Sequence, residues 1–168
     1  MFLEKEIIKK ILRNKKKLES KLKVKIIIKD SKIEIIGDEF DIYIAENVLE
    51  ALERNFPLNI ALLLLEESYL LKNLLIKSIT NRKNLSAIRA RIIGTEGKTL
   101  KLMSELSECY ITLNDNTVSI LGSTEKIKDA ENAIRSLILG SKQANVYKYL
   151  EKARKKVHNE DLGLKIKE

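Results

Sequence analysis

A stretch near the start of the chain recurs without gaps 85 residues later, and a repeat of that kind decides architecture before any local propensity does. Ile26 and Ile28 align with Ile111 and Leu113, Asp30 with Asp115, and Ile33, Ile35, Ile36 and Gly37 with Val118, Ile120, Leu121 and Gly122. Ile42, Ala45, Leu49 and Leu52 then align with Ile127, Ala130, Ile134 and Leu137, at spacings that put them on one helical face. Each copy reads as helix, hairpin, helix. Helices are expected over Glu4 to Lys21 and Gly97 to Leu106. Strands are expected at Val24 to Ile28 and Ile33 to Ile36, and again at Cys109 to Leu113 and Thr117 to Leu121. Polar turns, Lys29-Asp30-Ser31 and Asn114-Asp115-Asn116, join the strand pairs, and Asp38 and Ser123 stand where a side chain can cap the helix that follows.

Pro57, the one proline, sets a fixed φ at the start of a short helix, Pro57 to Glu66, and the boundary between copies is placed there. Tyr69 to Ile79 reads as a further strand and Asn84 to Ile92 as a short helix, so the second copy has two elements that the first lacks. Met1 lies only a few residues ahead of the first helix, and the first unit is expected to start too late to hold them. Beyond Gly140, the residues Val146, Tyr147, Leu150 and Ala153 share one face of a last helix with a basic end, Lys152 to Lys156. The expected fold class is α+β: a truncated unit over 1–56, a helical linker over 57–67, a fuller unit over 68–140, and a C-terminal helix and basic tail over 141–168.

Composition narrows the function classes. In 168 residues, 44% hydrophobic and 33% charged, there are one Pro and six Gly, which excludes general disorder and a collagen-like fibre. Cys109 is the lone cysteine and His158 the lone histidine, too few for a disulfide or a zinc site. The longest apolar run, Ile60 to Leu65, falls far short of the roughly 20 residues of a membrane span. A soluble, cytoplasmic protein without metal or cofactor is expected. The nearest carboxylate pair, Glu66-Glu67, reads as a solvated turn, so no catalytic residue is expected either. Net charge is +8. From Ser68 to Lys101 eight basic side chains (Lys72, Lys77, Arg82, Lys83, Arg89, Arg91, Lys98, Lys101) face one acid, Glu96, which favours an anionic partner.

Within that window, Arg91-Ile92-Ile93-Gly94-Thr95-Glu96-Gly97-Lys98-Thr99-Leu100 joins two expected helices through glycines three apart. A sharp turn is required there, and glycine, lacking a Cβ, lets a nucleic-acid backbone approach the main chain. The helix beginning at Gly97 offers unpaired N–H groups to an anion, and Lys98 adds a full charge. Two glycines alone commonly do no more than end one helix and begin another. Together with Ile92 and Ile93, the flanking cations and the succeeding helix, hairpin and helix, they resemble a type I KH domain, whose GxxG loop clamps the backbone of about four unpaired nucleotides.

That resemblance implies an apolar floor drawn from Ile92 and Ile93, one of which packs into the core because neighbours on a helix point different ways. It implies a clamp at Gly94 to Gly97, and a strand edge at Tyr110, Ile111 and Thr112 that reads base polar groups, with Tyr110 either stacking or facing solvent. Arg89 and Arg91 would steer phosphates, and Lys98 and Lys101 extend the basic path. Thr95 and Glu96 depart from loops that often carry a basic residue between the glycines. In the first copy Lys9 and Leu12 occupy the glycine positions, so its clamp is missing, and Lys9, Lys10, Arg13, Lys15, Lys16 and Lys17 are left for electrostatic contact only.

Three separated stretches narrow the likeness. Ala51-Leu52-Glu53-Arg54-Asn55-Phe56, Arg89 to Thr99, and Val146-Tyr147-Lys148-Tyr149-Leu150-Glu151 resemble the archaeal small-subunit assembly factors related to the eukaryotic partner-of-Nob KH proteins. Asn55 replaces a customary glycine, Thr95 a lysine and Gln143 a histidine. The resemblance implies a non-enzymatic factor that binds single-stranded small-subunit rRNA near its 3′ end and assists a PIN-domain endonuclease. It also suggests contact with the initiation factor that carries initiator tRNA. The alternatives are a protein-binding scaffold with weak RNA contact, or a general KH RNA-binding protein.

Overall fold

The computed structural model describes residues 5–29 and 32–165, with side chains described through Lys156. The chain divides into two compact units between Glu67 and Ser68. Asp30 and Ser31 of the first expected turn, Glu4 at the expected helix start and the His158 side chain lie outside the described residues.

The first unit holds α1 (Lys5–Leu22), β1 (Lys25–Lys29), β2 (Lys32–Ile36), α2 (Glu39–Glu53) and α3 (Leu58–Ala61), which runs on as one 3₁₀ turn at Leu62–Leu65. β1 and β2 pair antiparallel, Ile26 opposite Ile35 and Ile28 opposite Ile33. Ile11, Leu18 and Leu22 of α1, Ile26 of β1, and Leu49 and Leu52 of α2 are buried, together with Phe56. Glu19 accepts the Ile26 N–H at 2.8 Å, and Lys10 donates to the Phe56 carbonyl at 2.8 Å; burial lowers its pKa. The segment expected as a linker is part of this unit: Ala61 and Leu64 are buried and α3 packs on α2, so the division falls ten residues beyond Pro57.

The second unit holds β3 (Tyr69–Leu75), α4 (Ile76–Ile79), α5 (Leu85–Ile93), α6 (Lys98–Ser107), β4 (Tyr110–Asn114), β5 (Thr117–Ser123), α7 (Ile127–Leu139) and α8 (Gln143–Lys165). Its sheet is antiparallel in the order β3-β5-β4, which leaves β5 bonded along both edges. Leu74, Val118, Ile120 and Ile111 line the helix-facing side of the sheet. They pack with Ile88 and Ile92 of α5, Met103 of α6, Ile134 and Leu137 of α7, and Val146 and Leu150 of α8. The helix expected to follow the unit is therefore part of its core. Strand, helix, elbow, helix, strand, strand, helix is the element order that the type I KH likeness implies. Offsetting β1 by 85 residues gives β4 end to end, and offsetting the last residue of α1 gives the last residue of α6.

Three local expectations are corrected. The strand foreseen over Tyr69 to Ile79 stops at Leu75. There the Ile76 N–H donates to the Asn116 carbonyl at 2.9 Å, and the chain turns into α4 so that Ile76 is fully buried. Asp38 stands at the N-cap of α2 but makes no side-chain cap bond, and the N-cap of α7 is Lys126, Ser123 being the last residue of β5. Asn84, by contrast, caps α5 by accepting the Ala87 N–H at 3.0 Å. Cys109 is buried beside Gly122, where an added Cβ would meet its Sγ at 2.4 Å; burial raises the thiol pKa to about 11, so the group stays protonated at neutral pH.

Candidate nucleic-acid interface

The Gly94–Gly97 elbow begins where α5 ends. Gly94 has φ 72° and ψ 178°, a region open essentially to glycine alone. A Cβ there would also lie 2.1 Å from Thr99 Oγ1. Gly97, at φ 75° and ψ 8°, is the left-handed N-cap of α6, and a Cβ built on it meets nothing within 4 Å. One glycine is required by what lies behind the loop. The other leaves its front bare. Glu96 between them also takes positive φ, 54°, and stays exposed in an ion pair with Lys98 at 3.3 Å.

The loop is braced from within. Thr99 is buried, and its Oγ1 accepts from Gln143 Nε2 at 2.9 Å. The same amide nitrogen donates to the Arg91 carbonyl at 3.2 Å, one of the last carbonyls of α5. The first residue of α8 thus ties the helix entering the elbow to the helix leaving it. Arg91 works beside it: its Nη2 donates to the Gly140 carbonyl at 2.9 Å and to the Ser141 carbonyl. Arg82 Nη2 donates to the Leu139 carbonyl at 3.3 Å. Two guanidinium groups thus sit at the C-terminal end of α7, where cations are favoured by the helix dipole.

The structure sorts the expected residues. Ile92 is fully buried in the core while Ile93 is 39% exposed beside Gly94, so Ile93 alone of the pair can offer an apolar floor. Thr95, Glu96 and Lys98 are exposed, Gly94 and Gly97 half-buried, and Lys101, exposed one turn into α6, faces Glu105 at 3.9 Å. Arg91 is turned to the α7 terminus rather than outward, and Arg89 donates to Asn116 Oδ1 in the β4–β5 turn at 3.1 Å. Both guanidinium groups expected to steer phosphate have partners inside the chain. Ile111 is in the core, and strand alternation sends its neighbours Tyr110 and Thr112 to the sheet face opposite the helices. Their side chains thus face away from Ile93, while β4 stands at the edge of the sheet and brings Ile111 and Leu113 to the helix side. Lys72, another cation of the basic window, pairs with Glu131, whose carboxylate also accepts from Arg135 at 2.8 Å. Burial pushes the Glu131 carboxyl up, and these hydrogen bonds outweigh it and hold it below its ordinary range. Sequence reading missed Arg82, Thr99 and Gln143 as a brace. Gln143 lies 44 residues from Thr99, a separation that periodicity does not span. In the first unit α1 runs unbroken across Lys9 and Leu12, so no elbow forms there.

Comparison with known proteins gives concordant findings. The family described as eukaryotic-type KH domain (KH domain type I), second domain of the PNO1 kind, matches residues 71–155, a span that runs from β3 into α8. A KH domain-containing protein of Methanocaldococcus jannaschii is 31% identical over 150 residues, which cover 85% of this chain and 66% of that protein. The pre-rRNA-processing protein pno1 of Emericella nidulans is 30% identical over 141 residues, 79% of this chain and 55% of that protein. The chain thus spans between about half and two thirds of the length of these relatives. Among solved structures, the a/eIF2alpha–aDim2p–rRNA complex of Pyrococcus horikoshii matches with a TM-score of 0.83 and 29% identity, over 93% of both chains.

Proposed function

The chain belongs to the type I KH family of the PNO1 kind, and on that premise we propose that it is a non-catalytic RNA-binding factor of small-subunit ribosome assembly. In this reading it holds single-stranded rRNA near the 3′ end against the Gly94–Gly97 elbow, in the cytoplasm, and assists maturation by a partner PIN-domain endonuclease. Chemistry would belong to that partner. Contact with the initiation factor that carries initiator tRNA is part of the proposal; a complex of a/eIF2alpha, aDim2p and rRNA among the similar structures supports it. Relatives described as pre-rRNA-processing proteins support the pathway.

One observation carries the assignment to the elbow. At Gly97 the main chain is bare on its outer side, with open space where a Cβ would point, directly at the N-terminus of α6, which has no side-chain cap. The Gly97 N–H donates to the Gly94 carbonyl at 3.3 Å and the Lys98 N–H to the Thr95 carbonyl, so what a sugar–phosphate backbone would meet there is the bare main chain and the positive end of the helix dipole, with a base laid on Ile93. Lys98 and Lys101 supply charge, although each has an acidic neighbour, so the affinity is expected to be modest and salt-sensitive.

The test is a fluorescence titration with a single-stranded oligonucleotide from the 3′ end of small-subunit rRNA. Log affinity should fall linearly with log salt, with a slope of about −0.7 for each phosphate contacted. Asp at both Thr95 and Glu96 (Thr95→Asp with Glu96→Asp) should abolish binding with the circular dichroism unchanged, since both side chains are exposed and Asp tolerates the left-handed angles of position 96. Normal binding by that variant removes the elbow from the site. A second reading, a protein-binding scaffold with weak RNA contact, is favoured by the intramolecular partners of Arg89, Arg91, Lys72 and Lys98. It predicts weak binding that the double substitution leaves unchanged.

A further inference from the structure

The two copies of the repeat differ in what covers the central strand and the helix behind it. In the second unit β5 is paired on its outer edge by β3, antiparallel, with Lys72 opposite Ile120 and Leu74 opposite Val118. Val118, Ile120 and Ile134 are fully buried, and Lys72 reaches over the edge to pair with Glu131 of α7. The equivalent strand of the first unit, β2, pairs among the described residues with β1 alone. Ile33 and Ile35, which correspond to Val118 and Ile120, are only half-buried, and with Ile42 and Leu49 of α2 they floor a groove of about 360 Å³ beside that edge. Glu46 corresponds to Glu131 within the shared triplet Ala-Glu-Asn, Ala45 to Asn47 and Ala130 to Asn132. It stands exposed on the rim, followed by Glu50, which faces Arg54 at 3.9 Å, and Glu53.

We propose that this groove and the outer edge of β2 form a docking site for an extended segment of a partner polypeptide, which adds to the sheet as a third, antiparallel strand. The second unit supplies the template for the occupant. It carries an apolar side chain opposite Ile33 and, two residues away along the strand, a basic one opposite Ile35 whose cation pairs with Glu46. Main-chain hydrogen bonds to β2 would supply affinity, and the alternating side chains would supply specificity. The glutamates repel a nucleic-acid backbone, so the occupant is polypeptide rather than RNA. Two copies of this chain joined edge to edge would bring the same acidic rim to both sides, which disfavours self-association. The site is independent of the RNA reading at Gly94–Gly97.

The experiment uses the full chain and a fluorescein-labelled peptide with the sequence of Tyr69–Leu75 between polar flanks. Saturable anisotropy is expected, with hydrogen-exchange protection appearing at Lys32–Ile36. Glu46→Lys, an exposed change that leaves the core intact, should weaken binding roughly tenfold by setting like charges opposite each other. A peptide carrying Lys72→Glu should recover the loss on the Glu46→Lys protein and bind the wild type poorly, a reciprocity that nonspecific apolar adhesion does not produce. Absence of saturable binding overturns the proposal, as do equal affinity for the Glu46→Lys protein and protection that falls on Thr117–Ser123 instead. A wild-type dimer that the peptide fails to dissociate assigns the edge to a second copy and overturns it equally.

Discussion

Gly94 and Gly97 share a positive φ and answer to different neighbours. At Gly94 an alanine meets the Thr99 hydroxyl at 2.1 Å in a backbone region that only glycine populates. At Gly97 it meets open space, and its cost is the left-handed backbone alone. We expect Gly94→Ala to lower stability by about 3 kcal/mol and Gly97→Ala by about 1 kcal/mol, read from urea denaturation. RNA affinity should fall for Gly97→Ala as well, since its methyl group occupies the space offered to the ligand. Equal stability losses would mean that Thr99 yields. Much of this scale is legible in the sequence: the two glycines, their spacing and the division of labour between Ile92 and Ile93 all follow from helical geometry. Which isoleucine goes inward, and that Tyr110 faces away from the helices, depend on how α5 and β4 sit against the rest of the core, a tertiary matter that no local pattern contains.

Between elements, the brace at Gln143 shows why the last helix matters to the loop. Gln143 Nε2 holds Thr99 and the Arg91 carbonyl together, and Arg91 and Arg82 hold the turn from which α8 departs. Gln143→Ala removes two hydrogen bonds without touching any group that faces outward. The expected result is RNA affinity about fivefold lower, equivalent to ~1 kcal/mol, with the slope against log salt unchanged because no phosphate contact is lost. A changed slope would show instead that Gln143 contacts the nucleic acid. Strand and helix positions followed from hydrophobic periodicity to within a few residues, because the repeat let each copy check the other. The ends were less legible. α4 exists because Ile76 turns inward toward a partner 40 residues away, and Ser123 stays in β5 because β3 pairs it across to Tyr69.

Taken whole, the molecule carries one repeat whose two sheets differ among the described residues. In the second unit β5 is sealed by a strand on each side; in the first, β2 has β1 on one side and a groove on the other. Opening free energy follows buried apolar area and edge pairing, so amides of Lys32–Ile36 should exchange with solvent well before those of Thr117–Ser123 in native-state hydrogen exchange followed by mass spectrometry. Similar protection of the two strands would mean that the first unit already has a cover. The repeat made the shared architecture readable. That the segment 57–67 would pack into the first unit was not, since a short helix after a proline reads alike whether it links or packs. Finally, α1 runs straight where the second copy bends. Asn14, which stands at the place of Thr99, donates back to the Lys10 carbonyl one turn earlier, and Leu58 stands at the place of Gln143. Glycines installed at Lys9 and Leu12 would therefore yield a weakened rod and no bend. Point mutation at those two sites alone would not give the first copy an elbow, because the bend depends on side chains that the first copy does not carry at the places of Thr99 and Gln143.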